Sequence, residues 1–262
     1  MSDGLFEMAQ QAGPNAGRGS LAGNLHVSAP LAVRMRPRTL DELVGQAHLL
    51  QPGSPLRRLI EGDQPMSLLL WGPPGTGKTT IASILSTQTE RIFVEVSAVA
   101  AGVKEVRSAI EAAHRRLAAS GQETVLFVDE VHRFTKAQQD ALLPGVENRW
   151  VTLVAATTEN PFFSVISPLL SRSLLLTLEN LTEEDIRKVV SDALRDERGL
   201  AEAVDLSDEA MAQLLRLSGG DARRALTYLE AAAGAAQALD STIIDVDILE
   251  QAVDRAAVRY DR

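Results

Sequence analysis

The chain contains no cysteine among its 262 residues. That absence excludes disulfides, thiolate metal sites and cysteine nucleophiles together. Aromatic residues make up only 4% of the chain, against 45% for all hydrophobic residues, so a buried core must be largely aliphatic. The four histidines are scattered and lack the spacing of metal ligands, which argues against a histidine-based metal site.

Long apolar segments are also missing. No apolar run approaches the roughly 20 residues that a membrane-spanning helix needs. The N-terminus lacks the basic and then apolar pattern of a secretory leader. We therefore expect a cytoplasmic protein that has no membrane partner.

Excess positive charge is the third missing feature, since the net charge is −9. Residues 182–262 carry 10 basic and 18 acidic side chains, and the rest of the chain carries 16 and 17. Only four of the 26 basic residues are lysine, so arginine is the general-purpose cation. No overall positive field attracts nucleic acid, and any contact with DNA would have to be a local patch.

The first two thirds of the chain have an α/β pattern. Residues 1–28 are rich in small and polar types, and we predict a flexible tail there. Short apolar runs then predict strands at 67–71, 91–96, 124–128, 150–156 and 174–178. Helical spacing lies between them, notably at 79–87 and 104–119. This alternation predicts a domain over 29–178 with a mostly parallel five-stranded sheet between helices.

The remainder has helical patterns only. Thr182 and Ser207 are good N-caps, and a glycine pair at 219–220 suits a helix end. Asp221 and Asp245 begin two further helical patterns. We predict a separate, acidic, all-helical domain over 179–262.

A phosphate-binding loop follows the first predicted strand. The segment Gly72–Thr79 reads G-P-P-G-T-G-K-T and matches G-x-x-x-x-G-K-[ST] in full. Lys78 would reach the β- and γ-phosphates of ATP, and the Thr79 hydroxyl would bind Mg²⁺. Backbone groups of the loop would hold the phosphates. The predicted nucleotide-binding residues are Gly72, Pro73, Pro74, Gly75, Thr76, Gly77, Lys78, Thr79 and Thr80.

Two carboxylates end the third predicted strand, in the run V-L-F-V-D-E from 125 to 130. Asp129 would bind Mg²⁺, and Glu130 would act as general base on the attacking water. A helix cap is the structural alternative for Asp129. Because nucleotide binding alone needs only the metal carboxylate, Glu130 favours hydrolysis. Dinucleotide-binding and protein-kinase signatures are absent from the sequence.

These motifs resemble the AAA+ ATPases, and within them the clamp-loader clade. Three further segments resemble the replication-associated recombination protein A family. Residues 31–50 read L-A-V-R-M-R-P-R-T-L-D-E-L-V-G-Q-A-H-L-L, residues 129–147 read D-E-V-H-R-F-T-K-A-Q-Q-D-A-L-L-P-G-V-E, and residues 156–161 read A-T-T-E-N-P. The resemblance covers the chain from about residue 29 to its end. It implies an AAA+ core followed by a small helical lid.

The resemblance also implies roles for three more residues. Thr158 matches the sensor 1 position, which orients the lytic water. Arg172 matches an arginine finger that acts on ATP bound by the neighbouring subunit, with a solvated loop arginine as the alternative. Arg223 matches sensor 2, which contacts the γ-phosphate from the lid, with a surface helix arginine as the alternative. The adjacent Arg224 could be confused with it.

Further residues are given roles at the adenine pocket, beside the carboxylate pair and on a helix surface. By resemblance, Val44 and Gly45 form the adenine pocket together with the Arg36–Pro37 segment. His132 is interpreted as a packing or hydrogen-bonding residue rather than a catalyst. Four cations lie on or near a helix that clamp loaders turn toward DNA, although we prefer the interpretation of a solvated helix face, which the acidic balance of the chain supports. These cations are Lys104, Arg107, Arg115 and Arg116.

The implied function is a DNA-dependent ATPase, associated with the nucleoid, at stalled replication forks or single-strand/duplex junctions. Expected partners are DNA, further copies of the chain, and single-strand binding protein or other replisome proteins. The alternatives are an ATP-gated clamp-loader-like subunit and a Holliday-junction branch-migration motor. Family members continue into a tetramerisation domain that this sequence does not include, so we expect weak turnover by the isolated chain.

Overall fold

The computed structural model describes residues 29–60, 66–89 and 91–260. The predicted tail over 1–28 lies outside the described residues. One sheet has five strands, paired in the order β2-β3-β4-β1-β5, with every pair parallel. They are β1 (Ser67–Trp71), β2 (Ile92–Ser97), β3 (Thr124–Asp129), β4 (Thr152–Thr157) and β5 (Ser173–Thr177). The predicted five-stranded parallel sheet is confirmed.

Helices precede, connect and follow the strands. Before the sheet lie α1 (Leu31–Arg34), α2 (Ala47–Leu50) and α3 (Pro55–Ile60). The long connections between strands contain α4 (Lys78–Gln88), α5 (Val103–Ser120), α6 (Lys136–Asp140), α7 (Leu143–Glu147), α8 (Pro161–Ser164) and α9 (Ser167–Leu170). After the sheet come α10 (Glu183–Arg195), α11 (Asp208–Ser218), α12 (Ala222–Ala238) and α13 (Val246–Tyr260).

Both faces of the sheet are buried, as the alternation along β3 demonstrates. Val125 and Phe127 pack on one face with the α4 residue Ile81. Leu126 and Val128 point to the opposite face, which α5 covers. All four β3 side chains are fully buried. Because the strands are parallel, the carboxyl ends of β1, β3 and β4 meet at one edge of the sheet, where open α/β sheets bind ligands.

A separate aliphatic cluster holds α10 to α13 together. Its helices begin at the predicted caps, since Thr182 accepts a hydrogen bond from the Asp185 backbone and Ser207 from that of Ala210. One detail differs from the expectation of helices alone. Two short parallel strands pair here, β6 (Asp205–Leu206) and β7 (Ile243–Ile244). Two residues are too few to give a strand pattern in the sequence.

The first described helix, α1, packs on this helical part rather than on the sheet. Leu31 is fully buried in its cluster, and the Leu31 backbone N–H donates to the Glu230 carboxylate over 2.9 Å. Arg34 Nη1 donates to the carbonyl oxygens of Arg198 and Gly199, each over 2.6 Å. The segment assigned from sequence to the start of the sheet domain therefore also anchors the lid. The domain bounds of 29–178 and 179–262 remain predictions.

Over the described ranges, none of the helices combines the length and the apolar character that a bilayer crossing requires.

Candidate nucleotide-binding site

The phosphate-binding loop runs between β1 and the start of α4, at the carboxyl edge of the sheet. Gly75 and Gly77 adopt left-handed backbone conformations, with φ of 72° and 104°. A Cβ atom on Gly72 would come within 2.5 Å of the Leu178 carbonyl oxygen. Glycine is therefore required here both for the turn and for the close approach of the segment that follows β5.

Lys78 lies beneath the loop and is 8% exposed. Its Nζ donates to the carbonyl oxygens of Gly72 and Pro73 over 2.7 and 2.6 Å. Burial lowers the pKa of this ammonium, Asp129 opposes that shift, and Arg223 reinforces it. A polyphosphate would supply the negative charge that this buried cation lacks.

The oxygen atoms of Thr79 and Asp129 form the predicted cation site. The Thr79 hydroxyl donates to Asp129 Oδ2 over 3.3 Å, and Asp129 Oδ1 accepts from the Glu130 backbone over 2.9 Å. The described residues contain no group of three acidic, histidine or cysteine side chains arranged for a metal ion. This donor set fits Mg²⁺, which binds through one or two protein oxygens and completes its shell with phosphates and water.

Glu130 follows β3 in a left-handed conformation, with φ of 52°. Its side chain lines the cavity described below. The Glu130 carboxylate lies 2.7 Å from Nε of Arg133, which belongs to the 3₁₀ turn Val131–Arg133. The predicted general base is thus at the phosphate end of the cavity and is ion-paired within its own turn.

The end of β4 carries two threonines with different environments. Thr157 is 1% exposed, lies 3.1 Å from His132 Nδ1 through its hydroxyl, and accepts from the Glu159 backbone over 3.0 Å. Thr158 is exposed and also lines the cavity. The interpretation of His132 as a hydrogen-bonding residue agrees with its contact to Thr157.

Four described arginines line the cavity, and two of them, Arg36 and Arg223, interact electrostatically with Asp129 or Lys78. Arg223 lies in the first turn of α12, whose N-cap Asp221 accepts from the Arg224 backbone over 3.0 Å. Burial lowers the pKa of Arg36, and the nearby Arg223 lowers it further, while Glu95 and Asp129 act in the opposite direction. Together with Lys78, Arg36 and Arg223 provide cations that suit a polyphosphate.

The cavity has a volume of about 710 Å³ and extends from the loop to the helical part. Part of its lining is apolar and suits a purine base. These apolar lining residues include Ala32, Met35, Pro37, Val44, Leu181, Val189 and Leu226. Arg36, Arg223 and Val44 are among the described lining residues, whereas Arg224 and Gly45 are not. Gly45 supports the wall, because a Cβ atom there would approach Leu181 Cδ2 to 2.5 Å.

Arg172 is separate from the cavity of its own chain. Its Nη2 lies 2.9 Å from the Glu147 carboxylate, and its Nη1 donates to the Pro168 carbonyl oxygen over 2.9 Å. The side chain is 40% exposed. This position at the surface is compatible with a residue that acts on a neighbouring subunit.

Gln46 is a site residue that sequence reasoning missed. It is 6% exposed and reaches both the phosphate-binding loop and the segment before α10. Those partners are 30 and 133 residues away along the chain, so no local pattern could have identified them.

Comparisons with known proteins agree with this geometry. The family model described as ATPase family associated with various cellular activities (AAA) matches residues 68–178, and that of the AAA C-terminal domain matches 200–262. A solved structure of the Thermotoga maritima RuvB Holliday junction branch migration motor aligns with a TM-score of 0.66 and 26% identity. That alignment covers 84% of this chain and 72% of the motor.

Two curated relatives are more similar in sequence. An uncharacterized AAA domain-containing protein of Mycobacterium tuberculosis is 57% identical over 100% of this chain and 57% of its own length. Replication-associated recombination protein A of Escherichia coli is 45% identical over 88% of this chain and 53% of its own length. The chain belongs to the AAA ATPases, in the group of replication-associated recombination protein A. It spans about half the length of these curated relatives.

Proposed function

We propose that the chain is the ATPase part of a DNA-dependent enzyme that acts during replication and recombination. The observation that carries this proposal is the meeting of the loop Gly72–Thr79 with Asp129 and Glu130 at one edge of the sheet, where Thr79 and Asp129 are in hydrogen-bond contact. The relatives named above, a replication-associated recombination protein and a branch migration motor, supply the biological setting.

In this proposal, the chain's own residues divide the work. The backbone of the loop and Lys78 bind the phosphates, and Arg223 contacts the γ-phosphate from α12. Bound Mg²⁺, held by Thr79 and Asp129, would neutralise phosphate charge. Glu130 takes a proton from the attacking water, and Thr158 orients that water.

Arg172 completes the site in trans. Because Arg172 lies outside its own cavity, it would neutralise charge at the transition state of ATP bound by a neighbouring copy. ATP then stabilises the contact between subunits, and hydrolysis releases it, so each cycle rearranges the assembly.

The proposal also includes a contact with DNA. The chain's acidic balance requires a confined basic patch. Lys104, Arg107 and Arg115 are exposed on α5 and supply the candidates. Glu105 and Glu111 lie on the same helix, so a solvated face remains the competing explanation for these cations.

The test is ATP turnover with and without forked DNA, at chain concentrations from nanomolar to tens of micromolar. We expect turnover per chain to rise with concentration and with DNA. Glu130→Gln should abolish turnover while retaining ATP binding. High turnover per chain that stays constant down to low nanomolar concentration would contradict a site that needs a neighbour.

One observation favours a second candidate, an ATP-gated clamp-loader-like subunit with little hydrolysis of its own. Arg133 pairs with the Glu130 carboxylate over 2.7 Å and so competes with the attacking water for this base. If hydrolysis is absent alone and with DNA but appears when a partner protein is added, this candidate is favoured over the first.

A further inference from the structure

The segment Gly45–Gln46 turns sharply between the cavity wall and α2. Both residues have positive φ, 72° for Gly45 and 56° for Gln46. A left-handed conformation is unusual for glutamine and persists only where the surrounding structure holds it. Here the conformation directs the buried amide side chain of Gln46 toward the interior of the protein.

The Gln46 amide binds both backbone groups of a single residue. Its Nε2 donates to the Glu179 carbonyl oxygen over 2.7 Å, and its Oε1 accepts from the Glu179 backbone N–H over 3.0 Å. Glu179 belongs to the hinge, which we define as residues 178–182, between the end of β5 and the start of α10. One side chain thus fixes the peptide groups through which the helical lid leaves the sheet.

The same amide reaches the phosphate-binding loop. Gln46 Nε2 also lies 3.4 Å from the Thr76 carbonyl oxygen, a longer and weaker contact than the one to Glu179. Thr76 is 2% exposed, and its hydroxyl donates to the Pro73 carbonyl oxygen over 2.8 Å. The Thr76 carbonyl belongs to the peptide whose N–H is that of Gly77, one of the loop groups that would face a phosphate.

We propose that Gln46 is a positioning residue that couples the phosphate-binding loop to the hinge, so that a bound nucleotide sets the position of the lid. A phosphate that reorients the peptide between Thr76 and Gly77 moves the carbonyl oxygen that Gln46 contacts. The paired hydrogen bonds to Glu179 transmit this displacement to the hinge. The proposal rests on nucleotide binding by the cavity and is independent of DNA and of hydrolysis.

Only an amide of this length provides the necessary groups. Gln46→Met keeps the shape of the side chain but leaves the Glu179 peptide groups without their partner. His48→Ala is the matched control, because His48 Nε2 lies 2.9 Å from the Thr177 carbonyl oxygen, just before the hinge. That contact touches the end of β5 and not the phosphate-binding loop.

The experiment measures lid position directly. The chain has no cysteine, so labels at Glu111→Cys on α5 and Glu209→Cys on α11 report the distance between sheet and lid. Distances are recorded by double electron–electron resonance with Mg²⁺ and a non-hydrolysable ATP analogue. We expect the analogue to narrow the distance distribution in the wild type and in His48→Ala. Gln46→Met should bind the analogue and keep the distribution that it has without nucleotide.

Kinetics supply a second measurement that a purely structural role would not reproduce. Gln46→Met removes both hydrogen bonds to Glu179 and the weaker contact to Thr76, so kcat should fall by about tenfold or more, while KM changes much less. If the analogue, at the concentration used for the wild type, also narrows the distance distribution in Gln46→Met, the proposed coupling is overturned and nucleotide binding is not. A wild-type chain that binds no analogue overturns both the coupling and nucleotide binding.

Hydrogen exchange covers the case in which Gln46→Met does not fold. In the wild type, the Glu179 amide should exchange more slowly when the analogue saturates the cavity. An exchange rate at Glu179 that the analogue leaves unchanged overturns the coupling.

Discussion

At the scale of single residues, some side chains of the site already have the arrangement that nucleotide binding needs, whereas one carboxylate is engaged in an ion pair. The Lys78 ammonium is buried among loop carbonyl oxygens, and the Thr79 and Asp129 oxygens already lie together. Glu130, in contrast, is ion-paired with Arg133. The proposed base therefore lines the cavity but is already ion-paired, which agrees with the proposal that hydrolysis requires an assembly.

Arg133→Gln tests this restraint. Without the guanidinium, the Glu130 carboxylate can turn to the water, and basal turnover should rise by up to about fivefold, since exposed ion pairs are worth about 0.2–1 kcal/mol. The measurement is the steady-state rate of ATP hydrolysis without DNA. Lys136→Gln, which removes an exposed cation from the next helix, is the control and should leave turnover unchanged. Lower turnover in Arg133→Gln would mean that Arg133 assists Glu130 instead.

At the scale of elements, the loop Gly72–Thr79 and the N-terminus of α12 touch across the cavity. A Cβ atom on Gly75 would overlap the Asp221 carboxylate at the cap of α12. Gly75 also has a φ of 72°, so an alanine there would be strained as well as obstructed. The close approach of loop and lid therefore depends on this one missing side chain.

Gly75→Ala should weaken nucleotide binding by about tenfold or more, because strain of about 1–3 kcal/mol adds to the displacement of α12. A fluorescent ATP analogue measures the affinity. Gly53→Ala is the matched control, since Gly53 has a φ of 77° and nothing lies within 4 Å of its added Cβ. Equal affinities of Gly75→Ala and Gly53→Ala for the analogue would contradict a need for close approach between loop and lid.

The loop after α10 supplies a pH-dependent contact. Hydrogen bonds from the Arg198 side chain, and then from its backbone, lower the pKa of Asp196. A lowered carboxyl pKa adds stability above the unfolded value of about 3.9, and this stability is lost as the pH falls through the folded value. Arg198 also pairs with Glu42 over 3.2 Å, so the contact links this loop to the segment before the sheet.

Asp196→Asn should therefore lower the free energy of unfolding at pH 7 by no more than about 1 kcal/mol, because the pair is partly exposed. The difference from wild type should shrink as the pH falls from 5 toward 3. Urea denaturation at several pH values measures it, with the exposed Asp240→Asn as control. A deficit that grows on acidification would contradict the sign of the shift.

The elements that sequence could predict are those with a local pattern. The strands were predicted to within two residues, because each is a short apolar run, and β1 and β3 are also buried and lead into the motifs. The packing of α1 on the lid, the β6–β7 pair and the contacts of Gln46 join distant residues and leave no periodic signal. Thr158, Arg172 and Arg223 were identified by resemblance alone, and their roles remain predictions.

At the scale of the whole molecule, the cavity has contributions from the sheet, the segment before it and the helical lid, while Arg172 lies apart. The proposed nucleotide binding therefore needs one chain, and the proposed hydrolysis needs at least two. The central claim is that the arginine completing each site comes from a neighbouring copy.

Mixing two inactive variants tests that claim most directly. Arg172→Ala keeps Glu130 and lacks the finger, whereas Glu130→Gln keeps the finger and lacks the base. Each alone should hydrolyse ATP at least about a hundredfold more slowly than the wild type, in line with loss of one transition-state charge or base. An equimolar mixture at high concentration should recover a substantial fraction of wild-type turnover, because Arg172 of one variant meets Glu130 of the other. Turnover in the mixture no higher than the mean of the two separate variants would contradict a shared site.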